Sequence, residues 1–235
     1  TDKGCKKAIG FKLTQKEITD LIFSDYSEKQ WGVPFNKIPS SITNRIPKTK
    51  DCDNPTWFEG QRYQCVPKEG YTKMFEKMLN GIDVVLGCSK DDWKNSHCDR
   101  IIYTGKIDEY FDNCYGTLPY RTLDFEHKVT SKKQDTLVYN ECNYSNMWTR
   151  KYDHSYFTEG HSGLTVITKE YSRNAEGDDI PFYPIPWGES HKTYKKYKIL
   201  ANSVKNTIFL GRLAQYKYLD MWMAIKHTFS KLKNI

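Results

Sequence analysis

Residues 211–222, GRLAQYKYLDMW, set Arg212, Tyr216, Lys217, Tyr218 and Asp220 between the apolar runs TIFL and MWMAI. A helix that starts after a buried strand turns free backbone N–H groups, and the positive end of its dipole, toward whatever lies there. Met221 to Ile225 stand at such a start, and Arg212 at the strand end adds a guanidinium able to pair an anion bidentately. This chemistry suits an anionic group carried beside flat rings. A plain structural turn, with Asp220 capping the helix, fits the same residues.

Three further clusters share that character. In YSEKQWG, Tyr26 and Trp31 flank a polar turn, and Arg45 follows fourteen residues after Trp31. Rings stack a base or sugar while arginine pairs a phosphate; equally, Trp31 caps a core and Arg45 makes a surface ion pair. In NECNYSNMWTR, Asn140 and Arg150 lie ten residues apart, on strands joined by a turn. An amide and a guanidinium on one sheet face suit a sugar phosphate, or any solvated face. In PFYPIPWG, Tyr183 is held between prolines, which pre-orders its ring and hydroxyl. No GxSxG, HExxH, P-loop or GxGxxG occurs, and no carboxylates pair as acid and base. The residues describe a place for an anion and a ring, without a reaction.

The chain that must position them has 235 residues, enough for one large domain or two small ones with a real core. At 38% hydrophobic and 14% aromatic residues it is a folding sequence rather than a disordered one. Its 17 tyrosines serve either a polar ligand site or general half-buried packing. A net charge of +7 favours anionic partners. The basic residues are scattered, however, and the densest run, HKTYKKYK, reads as the solvated face of a helix. With no nucleic-acid signature beside it, nucleic acid is not an expected partner. The seven cysteines are odd in number and far apart, with no CxxC, so neither a disulfide framework nor a metal site is expected. That usage, with no signal peptide and no apolar run of about 18 residues, leads to the expectation of a cytoplasmic chain with no membrane contact.

Periodicity supplies the elements. TQKEITDLIF (14–23) places Ile18, Leu21 and Ile22 on one face of a helix, and a short helix is expected between the prolines of VPFNKIPSSITNRIP. Residues 48–70 read as loop, 71–79 as a helix, IDVVLG (82–87) as a buried strand and 100–105 as a second strand. The runs 121–129, 135–142, 147–153 and 163–172 alternate between short polar turns, which predicts an antiparallel sheet. Helix returns over 192–204, a strand over 207–211, and a helix capped by Asp220 over 220–232. The expected fold class is α+β, or mixed α/β, with an antiparallel sheet inserted between strand–helix elements.

In order, YSEKQWG, RIP, RYQCVPKEGYTKMFEKML, IIYTGKIDEYFD, YRTLDFE, WTR, TVITKEY, FYPI and GRLAQYKYLDM resemble the UDP-galactopyranose mutase family, from about Gln15 to the C-terminus. The resemblance implies a flavoenzyme, an isomerase that interconverts UDP-galactopyranose and UDP-galactofuranose for a furanose-containing glycan. In that family N5 of reduced FAD attacks the anomeric carbon and displaces UDP, and the opened sugar recloses as the smaller ring. The resemblance assigns Arg45 and Arg150 to the diphosphate clamp. It places Ile22, Tyr26, Ser27, Trp31, Trp57, Asn140, Tyr183 and Tyr218 around the nucleotide sugar. It gives Arg212, Asp220, Met221, Trp222, Met223, Ala224, Ile225 and Lys226 to FAD.

This sequence departs from the family pattern at several points. Ser27 stands for a threonine, Trp57 for a tyrosine, Phe182 and Leu219 for tyrosines, and Lys106 for a proline. The Gly-rich βαβ unit that would cradle the FAD pyrophosphate has no counterpart, so the chain is expected to be the C-terminal part of a two-to-three-domain flavoprotein. On this basis 1–47 is the helical substrate segment and 48–118 a remnant of the flavin domain. The antiparallel sheet takes 119–190, and 191–235 carries the flavin-contacting helix. FAD then requires the missing portion, supplied upstream or by a complementing N-terminal chain; a homodimer is the other expected assembly. The alternatives are an inactive nucleotide-sugar-binding remnant without FAD and, more remotely, a basic nucleic-acid or surface-interaction protein.

Overall fold

The computed structural model describes residues 20–44, 65–94, 98–157 and 163–233. Along the chain a π-helical turn, Asp20–Asp25, leads into α1 (Tyr26–Trp31), followed by α2 (Ser40–Thr43), α3 (Gly70–Met78) and α4 (Lys90–Lys94). Then come β1 (Ile101–Tyr103), α5 (Ile107–Tyr110), β2 (Tyr120–Thr130), β3 (Val138–Asn140), β4 (Arg150–Asp153) and β5 (Thr165–Asn174). The chain closes with β6 (Tyr183–Pro184), α6 (Gly188–Ser203), β7 (Thr207–Phe209), α7 (Gly211–Ala214) and α8 (Met221–Leu232). Among the described residues two sheets form: a parallel pair β1-β7, and a five-stranded sheet ordered β3-β4-β5-β2-β6 in which β2–β6, β3–β4 and β4–β5 pair antiparallel. The mixed class and the antiparallel insertion match the expectation from periodicity.

The chain divides into two compact units, Thr1–Asp83 with Leu123–Arg173 and Val84–Thr122 with Asn174–Ile235, so β2 and β5 have residues in both. Among the described residues of the first unit, Trp31, Ile38 and Leu123 are the buried apolar side chains. Much of the rest is buried polarity: Lys29, Gln30, Thr149, Asp153, Thr165, Thr168 and Glu170. Buried polar groups of this kind hold only when their hydrogen bonds are made. Asp153 accepts from Thr165 Oγ1 (2.6 Å), Gln134 N (2.8 Å) and Ser155 N (2.9 Å).

The second unit is built on rings. Ile107, Leu118, Tyr120, Tyr197 and Tyr216 form its core. On α6, Tyr194, Tyr197 and Ala201 recur at helical spacing and turn inward, while Lys192, Lys195, Lys196 and Lys198 stay exposed, as expected of HKTYKKYK. Tyr197 donates to Gly116 O (2.8 Å) and Tyr216 to Pro119 O (2.6 Å), so each ring is buried and its hydroxyl satisfied by backbone. Tyrosine abundance is thus partly a packing device.

One element corrects the sequence expectation. Residues 82–87 form no strand, and Val85 and Leu86 are exposed, the latter at 88%. A short apolar run becomes a strand only when another strand takes its N–H and C=O groups. Among the described residues none pairs with it.

Candidate functional site

In the first unit, YSEKQWG is helix rather than turn: α1 ends at Gly32, whose positive φ of 69° closes the helix in the left-handed conformation glycine favours. Tyr26 and Ser27 are half-buried, and Trp31 is 5% exposed. Glu28 accepts from the Tyr144 hydroxyl (2.6 Å) and from Phe35 N (2.7 Å), and these two bonds, the tyrosine's first, hold its carboxyl below the usual range. Ser172 Oγ donates to Gln30 O at 2.7 Å.

Asn140 and Arg150 face each other across β3 and β4, in register. The Arg150 guanidinium is oriented by Glu170, which accepts at Oε1 from Nε (3.0 Å) and Nη2 (2.8 Å). Tyr152 donates to the other Glu170 oxygen at 2.8 Å. Glu170 is itself buried, so the guanidinium is held in one geometry by an acid that has few other ways to be solvated.

In the second unit, Arg212, Tyr183 and Tyr218 come together. The guanidinium centre lies 5.3 Å from each ring centroid, and the two rings meet edge to face at 5.4 Å. Arg212 Nη1 donates to Phe182 O (2.7 Å), while Nε (3.1 Å) and Nη2 donate to Leu219 O. No carboxylate pairs with Arg212 among the described residues, so its charge is braced by dipoles and rings and stays uncompensated there. Asp220 occupies the N-cap of α8 and its carbonyl accepts from Ala224 N (2.9 Å). Its side chain makes no cap hydrogen bond, which corrects the expected capping role. Met221, Trp222, Ile225 and Lys226 are exposed on α8, and Met223 and Ala224 half-buried.

Arg45 and Trp57 lie outside the described residues, as does the side chain of Ile22. Sequence reasoning missed Lys29, Glu170 and Thr168. Lys29 Nζ sits against three backbone carbonyls of the β3–β4 connection. Thr168 Oγ1 is bridged to His127 Nδ1 (2.8 Å) and His154 Nε2 (2.7 Å). Their partners come from remote parts of the chain, and no local spacing signals them. Lys106, in place of the family proline, stands at the N-cap of α5 and pairs with Glu109. No helix among the described residues is long and apolar enough to cross a membrane.

Comparison of the sequence with known proteins identifies a family. The model of the family described as UDP-galactopyranose mutase matches residues 21–218. A protein of Escherichia coli named dTDP-fucopyranose mutase is 34% identical over 92% of this chain and 59% of its own length. A probable UDP-galactopyranose mutase of Klebsiella pneumoniae is 37% identical over 89% of this chain and 55% of its own. The UDP-galactopyranose mutase of Mycoplasma pneumoniae is 32% identical over 91% of this chain and 58% of its own. The chain therefore spans somewhat more than half the length of these relatives. With a family match that runs from the turn before α1 to Tyr218 beside Arg212, the chain belongs to the UDP-galactopyranose mutase family.

Proposed function

We propose that this chain binds a nucleotide sugar and carries the substrate-binding part of a flavin-dependent mutase that interconverts UDP-galactopyranose and UDP-galactofuranose. The observation that carries it is Arg150, in register with Asn140 and aimed by buried Glu170, on a hairpin fastened to the helix that bears Tyr26 and Ser27. A pre-oriented guanidinium offers a diphosphate a charge-assisted contact without first being ordered. Arg45 is the second member of that clamp. Asn140 hydrogen-bonds sugar or phosphate, Trp31 and Tyr26 line the base, and Ile22 and Trp57 complete the uridine pocket. Tyr183 and Tyr218, gathered around Arg212, are the second unit's own candidates for contact with sugar and phosphate.

FAD fits the second unit in kind. The start of α8 presents first-turn N–H groups not taken by the Asp220 side chain, with Arg212 uncompensated before it and exposed Met221, Trp222 and Ile225 along it. Met223, Ala224 and Lys226 complete that edge. Bound and reduced, FAD supplies the nucleophile for the anomeric carbon; the protein's part is to align the sugar and to stabilise the departing diphosphate's charge. The remainder of the flavin site would lie in the part of the relatives' length that this match does not cover. The E. coli relative named dTDP-fucopyranose mutase makes a dTDP-linked sugar the second candidate substrate.

Calorimetric titration of the chain with UDP, dTDP and FAD tests these assignments. UDP should bind, and Arg150→Ala should weaken it by at least about tenfold, about 1.4 kcal/mol. Equal affinity in the variant removes Arg150 from the site. Preference for dTDP redirects the substrate, and UDP binding with no FAD binding leaves a nucleotide-sugar-binding remnant.

A further inference from the structure

We propose that Lys29 is a positioning residue: its ammonium docks into a ring of three backbone carbonyls and so fixes the helix carrying Tyr26, Ser27 and Trp31 to the hairpin carrying Asn140 and Arg150. The role rests on, and deepens, the nucleotide-sugar site proposed above. An ammonium has three N–H donors and no acceptor. Lys29 Nζ meets Asn143 O at 3.1 Å, Asn146 O at 2.8 Å and Trp148 O at 2.9 Å, so one short connection can meet that whole demand.

Lys29 is only 9% exposed, which is rare for lysine and requires compensation. The compensation is dipolar and short-ranged, so it works only while helix and hairpin stay in contact. Burial draws its pKa below the ordinary lysine value, while Glu141, Cys142 and Asp25 act in the opposite sense. The residues on either side add attachments, Glu28 to the same connection through the Tyr144 hydroxyl and the Gln30 carbonyl to β5 through Ser172 Oγ. Lys29 is the central tie of the three. A guanidinium, with its planar fork, does not reproduce three converging bonds to one point.

The consequence is that the rings of α1 and the groups Asn140 and Arg150 keep a set separation before ligand arrives. Displacement by about 1 Å is enough to lose much of what a prearranged site gains. Loss of the tie should therefore appear as weaker binding in a protein that is still folded.

The test compares wild type, Lys29→Met, Lys29→Arg and Lys29→Ala by UDP titration and by amide hydrogen exchange, at a temperature well below each unfolding transition. Lys29→Met should raise exchange across 141–149 and weaken UDP binding by about tenfold. Lys29→Arg should show both effects to a smaller degree. In Lys29→Ala, propylammonium chloride should recover UDP affinity, and sodium chloride at the same ionic strength should not. Exchange in Lys29→Met equal to wild type overturns the tie. Raised exchange with unchanged UDP affinity overturns the positioning role and leaves a structural one. If Lys29→Met fails to fold, Lys29→Arg decides: wild-type exchange and affinity in it overturn the proposal. Should wild type not bind UDP, the nucleotide-sugar reading fails separately, and exchange still decides whether Lys29 fastens the helix.

Discussion

Asp153 and Asp108 are both buried carboxylates, one in each unit, and the protein solvates them in opposite ways. For Asp153, burial works against ionisation, but the Thr165 hydroxyl and the Gln134 and Ser155 amides outweigh it and hold the carboxyl far below its usual range. For Asp108, burial wins. One oxygen accepts from Leu118 N at 2.8 Å, the other has no side-chain or backbone partner among the described residues, and burial raises the pKa. Burial alone therefore decides neither the charge state nor the sign of its effect; the number of donors aimed at the group does. The same contrast separates two arginines, one in each unit. Arg150 is aimed by a buried acid, whereas Arg212 is braced by carbonyls and rings.

The largest expected effect is in the first unit. Asp153→Asn keeps the shape but turns donors toward donors, and should cost about 3 kcal/mol at about pH 7, read from urea unfolding. A depressed pKa contributes stability that is fully present above the unfolded value of about 3.9 and lost as pH falls toward the native one. The gap between wild type and variant should hence narrow on acidification. A gap that is constant with pH would mean the carboxylate is not what the three donors stabilise.

A smaller effect of opposite sign belongs to Asp108. A carboxyl with a raised native pKa contributes stability below its unfolded value, and loses it as pH rises through the native one. Asp108→Asn should remain within about 1 kcal/mol of wild type near neutrality and flatten the decline that sets in as pH rises above the unfolded value of about 3.9. An unchanged slope would show that this carboxyl titrates normally in the fold. The smallest effect is that of Tyr120→Phe, which removes a buried hydroxyl that has no partner among the described residues. Thermal unfolding should shift by no more than the equivalent of about 0.5 kcal/mol, in either direction. A loss of several times that amount would reveal a hydrogen bond in the second unit's core and weaken the contrast with the first.

How far the site could be read in advance follows the same lines. Tyr183, Tyr218 and Arg212 were marked by a rigid proline frame and a crowded turn, and the fold does bring these three together. Asn140 and Arg150 were marked by a spacing that two strands and a connection require, and they are in register. Glu170 and Lys29 carried no signal, because an acid in TVITKEY and a lysine in YSEKQWG look solvated until the fold buries them. IDVVLG failed in the other direction: its apolar run is what a buried strand needs, but among the described residues no strand pairs with it.

Family membership, the alternating strands and the helical faces of α3, α6 and α8 are legible along the chain, because period and ordered motif are local properties. Which buried charges are tolerated, which tyrosines serve packing and which segments find strand partners were decided by tertiary structure. Those outcomes depend on where hydrogen-bond partners stand in space: Lys29 finds its carbonyls more than a hundred residues away, and Asp153 receives more donors from the fold than Asp108 does.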